Sequence, residues 1–412
     1  MRIAALIAIL LLGLSSLSYA ETLTFRNFER EVQLIPQQDH FIVAGTGQAV
    51  RLANRLIVQA SPALNRVELA QKHKAIARVT SLFTSQNSQY FAVELAADEK
   101  LTDVLKILSS QNDILLVQPD LLQLAQRTHA VTSNSSMPVA DFLPSQQRDH
   151  LWQRSRGKGV KIAIIDDGFD LTHPALINAH IAFSYDTETH ALTAAPLSPR
   201  DSHGTRVAGV LFAAAQSDRI QGLAPEAELI AIRQPDSWTS NTLLAFHLAA
   251  LAGADVINCS WTTPLLLQPV ADAVQVLARE GRQGKGVAVV FAAGNEGRAI
   301  EYRDSEAAIP DAIVVAATDA QGQRLNNSNF GTSVDLSAFG GSVDSTAVTG
   351  GYAPFGGTSL ASAIVSGMAA LLIGADPSQD LPRLLQQLQA LSIPKATPVA
   401  STPSKDDLNA GL

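Results

Sequence analysis

The sequence is short of cysteine, of charge and of basic clusters. Its 412 residues include one cysteine, Cys259, which excludes an internal disulfide and a cysteine-based zinc site. That cysteine lies in the apolar stretch DVINCSW, which predicts a buried, unreactive thiol. Charged residues make up 17% of the chain and hydrophobic residues 46%, so a disordered chain is excluded. The net charge is −8 with no basic block, and we expect no nucleic-acid partner.

Long apolar runs are also missing. Residues 1–20 combine one positive charge, an apolar stretch from Ile3 to Leu14, and small residues that end at Ala20. This pattern is typical of a bacterial secretory signal peptide cleaved after Ala20. The apolar stretch covers about 12 residues, whereas a membrane-spanning helix needs about 20, which disfavours an uncleaved anchor. We therefore expect a secreted or periplasmic protein, with no later run long enough to span a bilayer.

The first third of the mature chain predicts a small α+β domain over residues 21–126. Strand patterns occur in NRLIVQA, QYFAVEL and NDILLVQPD, and helical spacing occurs in TDVLKILSSQ. Residues 127–149 are then rich in Ser, Thr and Pro, which predicts an exposed linker.

A different pattern fills the second domain, residues 150–412. Short apolar runs (KIAIID, AELIAI, ADVINCS, GVAVVFAA, DAIVVAA) alternate with helical segments (HGTRVAGVLFAAA, SNTLLAFHLAALAG, LLLQPVADAVQVLARE). Such alternation predicts an α/β fold with a doubly wound, mostly parallel sheet and helices on both faces. Functional residues of these sheets collect at the carboxyl ends of the strands and the starts of the following helices.

Three residues occupy such places. Asp166 ends the run VKIAII, His203 opens the helix of DSHGTRVAG, and Ser359 opens the last predicted helix, in FGGTSLASAIVSG. Singly, each has an ordinary alternative, as a turn residue, a surface histidine or a helix cap; Thr358 is also a candidate cap. Together they are the set that serine catalysis needs, because the hydroxyl must lose its proton to an imidazole that a carboxylate orients.

A fourth residue fits the same chemistry. Asn295 lies in a glycine-flanked turn after the run GVAVVFAA, where it is either a turn asparagine or a donor that stabilises an oxyanion. No GxSxG motif surrounds Ser359, and the chain order Asp, His, Ser differs from that of the α/β-hydrolases. An esterase or lipase of that kind is therefore disfavoured.

These segments resemble the subtilisin-like (subtilase) serine peptidases. The resemblance covers residues 150–375 through IIDDGFDLTHP, DSHGTRVAG, GLAPEAELIAIR, DVINCSW, VVFAAGNEG and GGTSLASAIVSG. It implies a secreted endopeptidase that acts on polypeptides as a monomer, with no required cofactor. The implied roles are a catalytic triad (Asp166, His203, Ser359), an oxyanion residue (Asn295) and substrate-binding residues (Ser260, Trp261, Thr262, Gly294).

The resemblance also gives residues 21–126 a role as an inhibitory propeptide and folding aid, cut off within about 122–135. The protein would then be made as a zymogen whose own propeptide is a partner. A permanent accessory domain is the alternative for this unit. For the whole chain, the alternative is an inactive or permanently plugged homologue that acts as a binding protein.

Several positions depart from the family pattern. Asp167 and Arg206 resemble the kexin and furin branch, but the strand SWTTPLLL lacks that branch's acidic residues, which disfavours selective cleavage after Arg or Lys. Ala363 and Ile364 replace a proline and a histidine of the family inside the helix, where we expect altered packing and little loss of chemistry. Ala175 stands in place of a calcium-ligating aspartate, so the usual high-affinity calcium site is expected to be absent, although other calcium sites stay open.

Thr262 replaces a glycine that is usual in the family, and its side chain is expected to narrow the pocket for the P1 residue. Peptides with Ala or Leu at P1 should therefore be cleaved with a kcat/KM about tenfold above that for Phe or Arg. Purified enzyme assayed on four peptides that differ only at P1 tests this, and an optimum at Phe or Arg would refute it.

Overall fold

The computed structural model describes residues 21–123, 145–214 and 220–392. An antiparallel N-terminal unit and a larger parallel α/β unit make up this part of the chain. The predicted signal peptide (1–20), most of the predicted linker (127–149) and most of the expected cleavage segment (122–135) lie outside the described residues.

The N-terminal unit is one antiparallel sheet with two helices. Its strands run in the order β1-β2-β3-β4-β6-β5, and β7 pairs with β4. The elements are β1 Leu23–Asn27, β2 Arg30–Pro36, β3 Phe41–Val43, β4 Ala49–Ala60, α1 Arg66–Gln71, β5 Ile76–Thr84, β6 Gln89–Leu95, α2 Leu101–Ser109 and β7 Ile114–Gln123.

The sequence predicts β6, α2 and β7 to within three residues of their observed bounds, and it predicts the second half of β4. The prediction missed β1 to β3, α1 and β5. Strand β2 buries only Leu34 fully among its seven residues, and β5 is interrupted by two register shifts, so neither alternates cleanly. Helix α1 has six residues and is held by a capping box between Asn65 and Glu68.

The larger unit is built on a seven-stranded sheet whose neighbouring strands are all parallel. The strand order is β15-β14-β13-β12-β8-β10-β9. These strands are β8 Lys161–Asp166, β9 His180–Asp186, β10 Glu228–Arg233, β12 Val256–Cys259, β13 Ala288–Ala292, β14 Ile313–Thr318 and β15 Leu336–Phe339. A two-residue strand β11 (Ser237–Trp238) and a hairpin of β16 (Val343–Thr346) and β17 (Tyr352–Phe355) lie outside this sheet.

Helices cover both faces of the parallel sheet. They are α3 Ser145–Arg154, α4 His203–Phe212, α5 Thr239–Leu251, α6 Gln268–Gly284, α7 Gly357–Ala375 and α8 Leu381–Leu391. Successive residues of each strand point to opposite faces, so Ile162 and Ile164 pack with α4 and α7, whereas Ala163 and Ile165 pack with α5 and α6. The predicted fold class is confirmed. Cys259 is a buried free cysteine, and burial raises the pKa of its thiol well above the usual value.

Helix α7 corrects two expectations. The prediction that no later run could span a bilayer is wrong by length and composition, because α7 has 19 residues and is apolar enough to do so. It lies inside the protein, with 89% of an 18-residue window buried, as expected of a core helix. It is also not the last helix, since α8 follows and buries Leu384 and Leu388.

Helix α3 begins at Ser145, inside the predicted linker. Its sequence, SQQRDHLWQR, is largely polar, so it lacks the apolar periodicity that predicts a helix. Two residues attach it: Leu151 is buried, and Trp152 donates a hydrogen bond from Nε1 to the carbonyl oxygen of Leu223 at 2.9 Å. The guanidinium of Arg156 lies 4.4 Å from the centre of the Trp152 ring.

The two units meet along α5 and α6, and the N-terminal unit caps both helices. Strand β7 pairs with β11, with Leu122 opposite Trp238. Asp120, fully buried at the end of β7, accepts hydrogen bonds from Ser240 N at 2.9 Å and Ser240 Oγ at 2.8 Å in the first turn of α5. In the same way, Asn27 Oδ1 accepts from Gln268 N, the first residue of α6, at 2.8 Å.

Charged and aromatic groups reinforce this contact. Arg55 Nε donates to Asp120 Oδ2 at 2.6 Å, while burial raises the pKa of Asp120 despite that cation. The hydroxyl of Tyr90 donates to Asp272 on α6. Each of these groups is hydrogen-bonded, Asp120 and Tyr90 to partners on the larger unit and Arg55 to Asp120 beside the contact.

Replacing Asp120 by Ala should destabilise the attachment of the N-terminal unit by about 3 kcal/mol, because Arg55 loses its carboxylate and α5 loses its cap. Asp113→Ala is the control, since it removes only an exposed pair with Lys72 and should cost no more than about 1 kcal/mol. Chemical denaturation followed by tryptophan fluorescence, to which Trp238 on β11 contributes, measures both variants. Equal losses would count against this role of Asp120.

Candidate active site

A buried carboxylate–imidazole pair lies at the carboxyl end of the parallel sheet. Asp166 is the last residue of β8 and His203 is the first of α4, and both side chains are fully buried. His203 Nδ1 lies 2.8 Å from Asp166 Oδ2 and 3.0 Å from Oδ1. Because an ionised carboxylate only accepts hydrogen bonds, this contact places a proton on Nδ1 and makes Nε2 the basic nitrogen of the neutral ring.

The close packing of α4 on the end of β8 depends on a glycine. A Cβ atom at Gly204 would lie 2.7 Å from the carbonyl oxygen of Gly168 and 2.9 Å from Asp166 Cβ. On its other side, the His203 ring meets Phe355 edge to face, with 5.5 Å between ring centres. The imidazole is therefore fixed between the end of β8 and Phe355, the last residue of β17.

Asp167 has a role that the sequence did not reveal. Its Oδ2 accepts a hydrogen bond from His203 N at 3.1 Å, and its Oδ1 accepts one from Gly204 N at 2.9 Å. These are the first two amide groups of α4, which have no partner within the helix. Asp167 thus caps the helix that carries the imidazole, whereas the N-cap residue Ser202 makes no side-chain bond.

Ser359 is the third residue of α7 and is not a cap. The N-cap residue is Gly356, and neither Thr358 nor Ser359 caps the helix with its side chain, so the alternative of a Thr358 or Ser359 cap is wrong. Ser359 Oγ donates a hydrogen bond to the carbonyl oxygen of Ser260 at 3.0 Å, and Ser260 Oγ donates to the carbonyl oxygen of Ser359 at 3.1 Å. Helices α4 and α7 pack against each other, which brings the His203 and Ser359 elements together.

Asn295 lies beside the start of α7. Its Oδ1 accepts a hydrogen bond from Thr358 N at 3.0 Å, so the amide nitrogen is the end of the side chain that can donate at this site. The turn needs Gly294, which has φ +99°, and a Cβ there would lie 2.3 Å from Asn329 Nδ2. The geometry therefore places a half-buried amide donor next to the residue that precedes Ser359.

The segment Ser260–Trp261–Thr262 follows β12 and joins these parts. Trp261 is 1% exposed, and its Nε1 donates to the carbonyl oxygen of Ile165 at 2.8 Å, which ties the segment to β8. Thr262 is also buried. The next residue, Thr263, is bound by the buried carboxylate of Glu306, a second contact that the sequence did not reveal.

The position expected to lack a calcium ligand is apolar. Ala175 is buried in a small cluster with Ala213 and Ile220. In the parts of the chain that the structure describes, no group of three or more His, Cys, Asp or Glu side chains is arranged to hold a metal ion.

Comparisons with known proteins agree on one family. Residues 157–409 match the model of Peptidase_S8, the subtilase family. A thermophilic serine proteinase of Bacillus sp. (strain AK1) is 36% identical over 232 residues, which are 54% of this chain and 55% of that protein. Subtilisin E of Bacillus subtilis (strain 168) is 33% identical over 231 residues, 54% of this chain and 57% of that protein. The matches thus span little more than half the length of these relatives.

A solved structure agrees with the fold. The crystal structure of a cold adapted subtilisin-like serine proteinase matches with a TM-score of 0.51 at 24% identity, covering 61% of this chain and 88% of that one. This likeness supports the doubly wound parallel architecture.

Asp167→Ala should lower the free energy of unfolding by about 1 kcal/mol, because two amide groups of α4 lose their acceptor. Asp380→Ala is a matched control that removes the cap of α8 at Arg383 N and should cost a similar amount. Only the Asp167 variant should slow the reaction of Ser359 with a fluorophosphonate, since only that cap positions His203. If both variants react at the rate of the unaltered protein, Asp167 does not position the imidazole.

Proposed function

The chain belongs to the subtilase family, and from that premise we propose that it is a secreted serine endopeptidase that cleaves polypeptides through an acyl-enzyme. Ser359 attacks the peptide carbonyl, His203 takes and returns the proton, and Asp166 orients the imidazole. The observation that carries this proposal is the buried contact of 2.8 Å between Asp166 and His203 at the sheet edge that also receives Ser359.

The proton has a defined route in this scheme. In the structure, the Ser359 hydroxyl donates to the carbonyl oxygen of Ser260, so it must turn its hydrogen bond from that oxygen to His203 Nε2, which takes the proton as Oγ attacks. The imidazolium that forms is stabilised by the buried Asp166 carboxylate. Asn295 and backbone N–H groups then stabilise the oxyanion, and a donor of this kind contributes about 3 kcal/mol.

We further propose that the protein is made as a zymogen. Residues 21–126 act as the inhibitory propeptide, residues 1–20 direct export to the periplasm or medium, and cleavage falls within 122–135. The pairing of β7 with β11 and the capping of α5 by Asp120 support this proposal, because they attach the last strand of the N-terminal unit, which ends at Gln123, to the larger unit. Ser260, Trp261, Thr262 and Gly294 bind the substrate, and no cofactor is required.

Ser359→Ala should abolish peptide hydrolysis, a loss of about a millionfold in kcat, and leave the N-terminal unit covalently attached. Mass spectrometry of the purified chain locates its N-terminus, and a fluorophosphonate probe reports the reactive serine. Maturation of the Ser359→Ala chain alone, at low concentration and without added protease, would rule out self-processing.

A serine on the same helix supplies the control for that variant. Ser366 Oγ donates to Asn258 Oδ1 at 2.9 Å, inside the core, so Ser366→Ala should cost stability yet still mature and react with the probe. An unaltered chain that stays intact and does not react with the probe would instead favour the inactive or permanently plugged homologue.

A further inference from the structure

A buried carboxylate lies directly behind the segment Ser260–Trp261–Thr262. Glu306 opens the short 3₁₀ helix Glu306–Ala308 and is 2% exposed. Its Oε2 accepts a hydrogen bond from Thr263 N at 2.6 Å, and its Oε1 accepts one from Thr263 Oγ1 at 2.5 Å. Thr263 follows Thr262 directly, so this single carboxylate holds both donors of the residue next to the proposed pocket wall.

The surroundings of Glu306 bring the pKa of its carboxyl close to neutral pH. Burial is the main cause that raises the pKa of Glu306 to about 7, and the two bonds from Thr263 oppose that rise. Asp304, on the same segment, raises it further and itself pairs with Arg298. From β12 the Cys259 thiol faces the carboxylate, and β13, which packs against the 3₁₀ helix, has the sequence AVVFA with no titratable side chain.

We propose that Glu306 is a positioning residue that sets the width of the P1 pocket. By fixing the backbone and the hydroxyl of Thr263, it fixes the neighbouring Thr262, whose side chain narrows that pocket. Residues 296–305 separate Glu306 from Asn295, so the two ends of one loop serve the oxyanion and the pocket wall. This inference rests on the peptidase function proposed above.

The protonation state of Glu306 should change how rigidly Thr262, the proposed wall of the P1 pocket, is held in place. An ionised carboxylate accepts from both donors of Thr263, whereas a carboxylic acid keeps one acceptor and presents a hydroxyl to the other donor. Thr263 Oγ1 then accepts from that hydroxyl instead of donating, neither bond involves a charged group any longer, and Thr262 gains freedom to move. The ionised form prevails above pH about 7, so discrimination by size at P1 should be strong there and weaker below.

The test is the ratio of kcat/KM for two peptides with Ala and Phe at P1, measured from pH 6 to 8.5. Both peptides depend equally on His203, so effects on the catalytic step that they share cancel in the ratio. In the unaltered enzyme the ratio should rise about fivefold across neutral pH, the effect of about one hydrogen bond. Glu306→Gln, which keeps one acceptor and one donor like the protonated acid, should hold the ratio at its low-pH value throughout. Its kcat should stay within about twofold.

Two more variants serve as a control and as a second test. Glu301→Gln removes the same charge from an exposed side chain of the same loop and should leave the pH dependence intact. Thr263→Val removes the hydroxyl bond to Glu306 and a longer bond of 3.4 Å to the carbonyl oxygen of Leu265. It should lower the ratio above pH about 7 in the same direction, which keeps the inference testable if the Gln variant fails to fold.

Three results would overturn the positioning role: a ratio independent of pH in the unaltered enzyme, a Gln variant that keeps the change, or a loss confined to peptides with Arg or Lys at P1. The last result would make Glu306 a direct contact for a cationic side chain. Failure of the unaltered protein to hydrolyse any peptide or react with a fluorophosphonate would overturn the peptidase function itself, so the two failures are distinguishable.

Discussion

The buried negative charge of Asp166 is the constraint from which the site is built. A carboxylate removed from water is stable only where donors replace its hydration. Asp167 N and His203 Nδ1 supply those donors, so α4 must begin beside the end of β8. That approach is so close that only glycine fits at position 204. The imidazole is thus held in place by the electrostatic requirement of a strand end and by the steric requirement of a helix start.

Sequence patterns revealed the parallel strands and the residues at their ends because a sheet covered on both faces leaves continuous apolar runs. This is why Asp166 and Asn295 could be placed at the sheet edge. The cap that Asp167 provides to α4 joins residues 36 and 37 positions apart, and the bond from Glu306 to Thr263 spans 43. No local pattern encodes such pairs, so only the tertiary structure shows them. Helix α3 was missed for another reason, since two adjacent residues, Leu151 and Trp152, attach it in place of a regular apolar face.

Two helix N-termini of the α/β unit are completed by side chains from the other unit. Asp120 serves α5 and Asn27 serves α6, and these residues lie on the last and the first strand of the N-terminal unit. Helix N-termini carry partial positive charge and unpaired amide groups, so both contacts satisfy the same physical need. One apolar cluster also runs from β4 through α5 to β12, which makes the contact between the units continuous with the core. Each unit therefore presents a surface that is complete only against the other.

The pairing of β7 with β11 involves two residues of the larger unit, Ser237 and Trp238. In the proposed mature enzyme, from which β7 has been removed, an extended peptide in its place would meet the same short edge, with main-chain bonds for only a residue or two. Main-chain hydrogen bonds over one or two residues do not discriminate between side chains, and they bind a peptide weakly. Specificity among peptides must then come from the cavities that receive individual side chains. A peptide whose side chains fit none of these cavities should dissociate quickly.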